Sequence, residues 1–260
     1  MTLKLGGHAA SANPLDDALA LGADVAQCVL GDPQSWKKPT FDVPGFAQAA
    51  EEAGVEFYVH SPFIINVASL NNRIRIPSRK VLQQHVDLAA EIGAKGVVVH
   101  GGHVTANDDP AAGFANWRKC VDGLRLPVPI LIENTAGGNH AMARYLDSLA
   151  RLWGELAGSE NFDRVGFCLD TCHAHAAGLD LATLVDDVRS ITGRIDLVHL
   201  NDSQGAAGSG VDRHANLGQG TIDPGLLVDV VRAADAPTVL ETPGRVVEHA
   251  ADLEWLRARL

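Results

Sequence analysis

Gly96-Val97-Val98-Val99-His100 is a short β-branched run that stops on a histidine. A run of this length, bounded by glycines, reads as a strand buried on both faces. The same unit recurs outward in both directions. Strand candidates fall at residues 3–7, 24–30, 55–60, 96–100, 129–134, 165–170, 195–200 and 237–242, with helical patterns at 44–53, 77–92, 111–124, 141–156, 181–192, 224–233 and 247–260 between and after them. Pro44, Pro77 and Pro224 stand where helices are expected to open, because a missing N–H costs nothing there. Strands alternating with helices imply a parallel sheet, and eight is the number that closes into a barrel. The expected fold is α/β, a single (β/α)8 TIM barrel with its site at the C-terminal ends of the strands. A doubly wound open sheet is the alternative, but no glycine-rich nucleotide loop follows the first strand, so no nucleotide cofactor is expected.

The chain has 260 residues, close to the length of one such barrel, and is read as one domain over 1–260. It is 46% hydrophobic, enough for a large core. No apolar run approaches the ~18 residues of a membrane span. No signal segment is evident, and Cys28, Cys120, Cys168 and Cys172 suit free thiols, so a cytoplasmic monomer is expected. A formal charge of −11 speaks against a nucleic-acid partner, unless acidic residues serve as metal ligands. Three divalent cations would add six charges and bring the nominal charge to about −5.

In a barrel of this kind reactive groups collect at the C-terminal strand ends. The candidate strands deliver His60, His100, Glu133, Asp170, His199 and Glu241 there, and His8 follows the first strand. One polar residue at a strand end is ordinary capping. Six together would leave many imidazoles and carboxylates unpaired unless cations bind. Two loops add donors: His173, three residues beyond Asp170, and the pair Asp212 and His214, whose alternation aims both side chains to one side of an extended segment. Nine donors suit three ions with one shared carboxylate. The mix of imidazole and carboxylate fits zinc or manganese better than calcium or magnesium. Cys168-x3-Cys172-His173 is also conceivable as a thiolate corner, but both cysteines are read as small buried residues. His85, His140 and His249 fall on helical stretches and are read as packing or surface residues. His103 and His175 are placed to hydrogen-bond the ligands.

Four segments carry a resemblance. Glu133-Asn134-Thr135-Ala136-Gly137, Cys168-Leu169-Asp170-Thr171-Cys172-His173-Ala174, His199-Leu200-Asn201-Asp202-Ser203 and Asp212-Arg213-His214-x-x-Leu217-Gly218-x-Gly220 resemble the signatures of the endonuclease IV family of apurinic/apyrimidinic endonucleases, in order and along the whole chain. The resemblance implies one zinc on His60, His100 and Glu133, a second on Glu133, Asp170, His199 and Glu241, and a third on His173, Asp212 and His214. Glu133 would bridge, and Glu241 would orient the attacking hydroxide. It implies hydrolysis of duplex DNA 5′ to an abasic site by metal-activated hydroxide, leaving a 3′-hydroxyl and a 5′-deoxyribose phosphate.

The sequence departs from that family in the DNA-facing loops. Phe63 stands where a tyrosine is usual, and Gln34 of Asp32-Pro33-Gln34-Ser35-Trp36 stands where an arginine is common. Phosphate contacts are therefore expected from Arg73, Arg75 and Arg213, with Arg79, Lys80, Lys37 and Lys38 nearby, and Phe63 is expected to stack at the lesion. Two rival functions remain. A xylose-isomerase-like sugar isomerase or epimerase would need one or two metals and neither His173 nor the Asp212–His214 pair. A binding module for damaged DNA would need no open metal cluster.

Overall fold

A computed structural model describes residues 3–138 and 140–260 of the chain. Eight parallel strands close into a barrel: β1 (Leu5–His8), β2 (Val25–Val29), β3 (Glu56–His60), β4 (Gly96–His100), β5 (Ile130–Glu133), β6 (Val165–Asp170), β7 (Leu197–His199) and, after the short β8 (Asp202–Ser203) and β9 (His214–Ala215), β10 (Thr238–Leu240). β10 seats between β7 and β1 and shuts the ring, so the open-sheet alternative is excluded. β8 and β9 form a separate antiparallel ribbon over the C-terminal rim, pairing Ser203 with His214.

Helices α1 (Pro14–Ala20), α2 (Phe46–Ala53), α3 (Asn72–Glu91), α4 (Pro110–Gly123), α5 (Leu146–Leu156), α6 (Thr171–Ala177), α7 (Leu184–Thr192), α8 (Pro224–Ala234) and α9 (Val246–Arg257) connect and wrap the strands. No helix among the described residues is long and apolar enough to cross a membrane. Several helix expectations need correction. Pro77 does not open α3. Asn71, six residues before the expected start, caps it by accepting from the Arg73 N–H at 2.9 Å, and the proline sits more than one turn inside. Residues 141–145 do not belong to α5. Their backbone bonds sideways, Met142 N–H to Gly102 and Ala143 C=O from Thr135, which leaves none for a helix before Leu146. Pro44 lies in the turn before α2, whose cap is Gly45 at φ 73°. α1 and α6 lie outside the expected helices, since each is only seven residues long. α1 nonetheless carries ordinary start signals: Asn13 accepting from Leu15 N–H, then Pro14, then Asp16 and Asp17 against the helix dipole.

Strand alternation divides the core in two. Outward-facing residues pack with the helices, while Val25, Tyr58, Val98, Leu131, Cys168, Leu197 and Val239 form an apolar plug inside the barrel. Two residues further along each of these strands, on the same inward face, stand Gln27, His60, His100, Glu133, Asp170, His199 and Glu241. β1 repeats the pattern with Gly6 and His8. The plug thus sets a dry floor directly beneath a polar layer. Gly6 has no room for a side chain, because a Cβ there would lie 1.6 Å from the Val25 carbonyl oxygen. Gly6→Ala must therefore push β1 off β2, and its destabilisation should reach or exceed the ~1–3 kcal/mol typical of overpacking. Thermal unfolding followed by circular dichroism measures it, and an unchanged Tm would contradict this strand register.

Candidate metal centre

Parallel register brings the polar strand ends together: His100 pairs with Glu133, and Asp170 with His199. Glu133 is fully buried at the focus. Its Oε2 lies 3.2 Å from Nε2 of both His60 and His100, and its Oε1 lies 3.2 Å from Nδ1 of both His173 and His199. His199 Nδ1 is also 3.1 Å from Glu241 Oε2. The loops complete the cluster. Asp170 caps α6 by accepting from the His173 N–H at 2.6 Å, which turns His173 back toward the axis. The β8–β9 ribbon carries Asp212 and His214 over the rim, with Asp212 Oδ1 3.2 Å from His173 Nε2 and 3.4 Å from His214 Nε2.

Three groups each have their donor atoms within 4.8 Å of one another: His60, His100 and Glu133; Glu133, Asp170, His199 and Glu241, which shares Glu133 with the first; and His173, Asp212 and His214. A fourth combines Asp170, Cys172 and His214. Cys168 takes no part in it. It faces the plug, and burial pushes both thiols up to about 12.

The hydrogen bonds behind the imidazoles decide what these groups can hold. His60 Nδ1–H donates to the Ser61 carbonyl at 2.7 Å, His173 Nδ1–H to the Asn134 carbonyl at 2.9 Å, and His214 Nδ1–H to the Glu241 carbonyl at 3.1 Å. His199 Nε2–H donates to the Gln27 amide oxygen at 2.8 Å. In each ring one nitrogen has its proton committed, so the other presents a lone pair toward a carboxylate that is also all lone pairs. His214 Nε2 is buried without a hydrogen bond. Only a cation between nitrogen and oxygen relieves such contacts, either a proton or a metal ion, and the donor set fits divalent ions of the zinc class. The charges follow the same logic. Burial raises the Glu133 pKa, but the surrounding His100 and His199 outweigh it and hold the carboxyl well below the usual range. Burial lowers His60, His173 and His199, yet the neighbouring acids leave each above the ordinary histidine value. His8 behaves oppositely: burial brings it down to about 4, so it stays neutral.

A cleft of about 470 Å³ opens on the cluster, lined by His8, His60, His100, His173, Asp212, His214, Glu241 and Phe63. A neighbouring groove of about 400 Å³ shares Phe63 and His100 and adds Trp36 and His103. Phe63 and Trp36 are 53% and 44% exposed at the mouth. Gln34, two residues before Trp36, is exposed. Arg73 and Arg213 are exposed, whereas the Arg75 guanidinium is spent on the carbonyls of Ser69 and Leu70 and on Asn72. Arg79 likewise donates to the Asn116 carbonyl. The basic arc expected from the sequence is thus thinner in the folded chain, because the loop before α3 needs arginine donors for its own carbonyls. His103 bonds Asn66, and His175 braces the rim through Gly205 and Thr221. Sequence reasoning missed Gln27, buried at the same level as the donors. Its signal was a lone amide in the apolar stretch Val25–Val29.

Fold and site together define a barrel of the xylose-isomerase-like class whose rim carries groups that could hold metal ions, and the family model described as "Xylose isomerase-like TIM barrel" matches residues 15–259. Within that class, "Probable endonuclease 4" of Mycobacterium marinum is 54% identical over 260 residues, covering 98% of both chains, and that of Mycobacterium leprae is 55% identical over 238 residues, covering 92% of both. The crystal structure of endonuclease IV from Thermus thermophilus superposes with a TM-score of 0.83 at 32% identity over 98% of both chains. The chain belongs to the endonuclease 4 family, a family of nucleases and hence of hydrolases. A D-tagatose 3-epimerase-like protein shares the fold alone, at TM-score 0.80 and 19% identity.

The metal-free protein has a pH signature of definite sign. Burial lowers the His214 pKa, but Asp212, Asp170 and Glu241 outweigh it and raise it from 6.5 to about 9. Stability from that proton is fully present below pH 6.5 and lost as pH rises to about 9. The Tm of chelator-treated protein should therefore fall across this window, and a bound divalent cation should flatten the decline. A chelated Tm that climbed over the same window would contradict the cluster's geometry.

Proposed function

We propose that the protein is a DNA-repair endonuclease that hydrolyses the phosphodiester 5′ to an abasic site in duplex DNA, leaving a 3′-hydroxyl and a 5′-deoxyribose phosphate, with residues 1–260 working as one domain. Family membership supports this reading, and one observation carries it: the third donor group, His173, Asp212 and His214, stands beside the two groups that share Glu133. A sugar isomerase or epimerase on this barrel has no use for that third group.

We assign three zinc-class ions, manganese being compatible at one or more. One would be held by His60, His100 and Glu133, one by Glu133, Asp170, His199 and Glu241, and one by His173, Asp212 and His214. Such ions supply charge neutralisation for the phosphodiester and water ionised near neutral pH. The chain's own groups do the rest. Glu133 turns one oxygen to the His60–His100 side and the other to the His173–His199 side, so a single buried charge serves both. Glu241 lines the cleft, which supports its role in orienting the attacking water. Phe63 offers a flat apolar face at the mouth where a base is missing. Arg73 and Arg213 remain available for phosphates, and the uncharged Gln34 can add only a hydrogen bond.

A duplex with one abasic analogue should be nicked on its 5′ side, leaving an end that a polymerase extends. Glu133→Gln should lose more than the roughly 10–100-fold that outer partners of a metal site are worth, while keeping its fold. Near-normal turnover by that variant would remove Glu133 from the centre of the mechanism. Elemental analysis of active protein should return about three zinc-class ions per chain. A fully active preparation holding one ion would rule out the three-group assignment.

A further inference from the structure

Gln27 is fully buried in β2, between Ala26 and Cys28. An amide in such a place is costly unless its hydrogen-bonding groups are engaged. Its nitrogen lies 2.6 Å from Glu241 Oε1 and 3.3 Å from His8 Nδ1, and its oxygen lies 2.8 Å from His199 Nε2. The polarity of the amide is determined by chemistry: an ionised carboxylate only accepts, so the NH2 must face Glu241. The carbonyl oxygen is then left for His199 and can only accept. His199 must carry its proton on Nε2 and keep a lone pair on Nδ1, the atom that faces Glu133 and Glu241. The second amide hydrogen meets His8 Nδ1, so His8 carries its proton on Nε2.

We infer that Gln27 is a positioning residue of the metal centre, which sets the tautomer of His199, holds Glu241 in register with it, and ties His8 to the same network. This rests on the metal reading proposed for Glu133, Asp170, His199 and Glu241. Gln27 acts through its two neighbours and does not itself reach the cleft, whose lining omits it. No other neutral side chain of similar length supplies a donor to Glu241 and an acceptor to His199 at once. Glutamate would set acceptor against acceptor, and methionine would fill the volume with neither.

The test compares the zinc-loaded wild type with Gln27→Met. Zinc affinity is read by competition with a chromophoric chelator, the His199 Nε2–H proton by NMR, and kcat and KM on an abasic duplex. In Gln27→Met one zinc should bind roughly 10–100-fold more weakly. The His199 Nε2–H signal should shift and exchange faster, and kcat should fall with KM nearly unchanged, since no DNA contact is lost. Wild-type zinc affinity together with an unmoved His199 signal would overturn the inference. Should Gln27→Met not fold, Gln27→Asn keeps the amide but withdraws it by one methylene, and the same two readouts decide: a weakened zinc supports the role and wild-type affinity ends it. Failure of the wild type itself to bind zinc would discard the metal reading, an outcome visible before any variant is compared.

Discussion

A carboxylate that is entirely shut off from water needs compensating positive charge, and Glu133 governs the rest of the site for that reason. Each of its oxygens meets two imidazole nitrogens at 3.2 Å, which brings β3, β4, β6–α6 and β7 to one point. The barrel makes this possible. Its apolar plug, one pleat below, excludes water and gives the donors a rigid floor. A rim built this way fixes the relative positions of its donors.

The groups behind the donors are as specific as the donors. Backbone carbonyls of Ser61, Asn134 and Glu241 each take one imidazole proton, so ring orientation is inherited from the strands and their first loop residues. Asn201 links two sides of the rim, donating to Asp170 Oδ2 at 2.7 Å and accepting from the Glu241 N–H at 2.9 Å. Asp202 holds the glycine loop beyond His214 by accepting from the N–H groups of Gly218, Gly220 and Ile222. Gly220 is required there because a Cβ would lie 2.3 Å from Asp202 Oδ1. The acids and glycines of the signature segments therefore divide into a cluster that faces the cleft and a frame that holds its loops.

The same division bears on how an acidic chain, at −11, can take a polyanion. The arginines nearest the third strand's loop add little positive charge at the cleft, because they are partly consumed by backbone carbonyls. The mouth is apolar instead, with Phe63 exposed on the wall shared by the two clefts and Trp36 exposed in the second. That composition suits a gap in a base stack better than an intact duplex, which presents phosphates first.

The fold and the polar strand ends were legible in the sequence because both depend on short-range periodicity. β-branched runs ending on His60, His100, Glu133, Asp170 and His199 coincide with strand ends, and the period of two points these residues to one face. Gln27 obeyed the same period but escaped notice, since a lone amide reads as polar filler until its partners are known. α6 and the late start of α5 were hidden for a different reason. Their boundaries follow from bonds across the rim, Asp170 to the His173 N–H and residues 141–143 to the loops after β4 and β5, which local propensity does not contain. Nor could it separate Arg75, bound to its own loop, from Arg73, which is free to meet solvent. Sequence determined which residues face inward and in what order. Only closure of the barrel decided which nitrogens meet which oxygens, because those contacts join strands as far apart as β2 and β7, whose proximity arises from the ring and not from the chain.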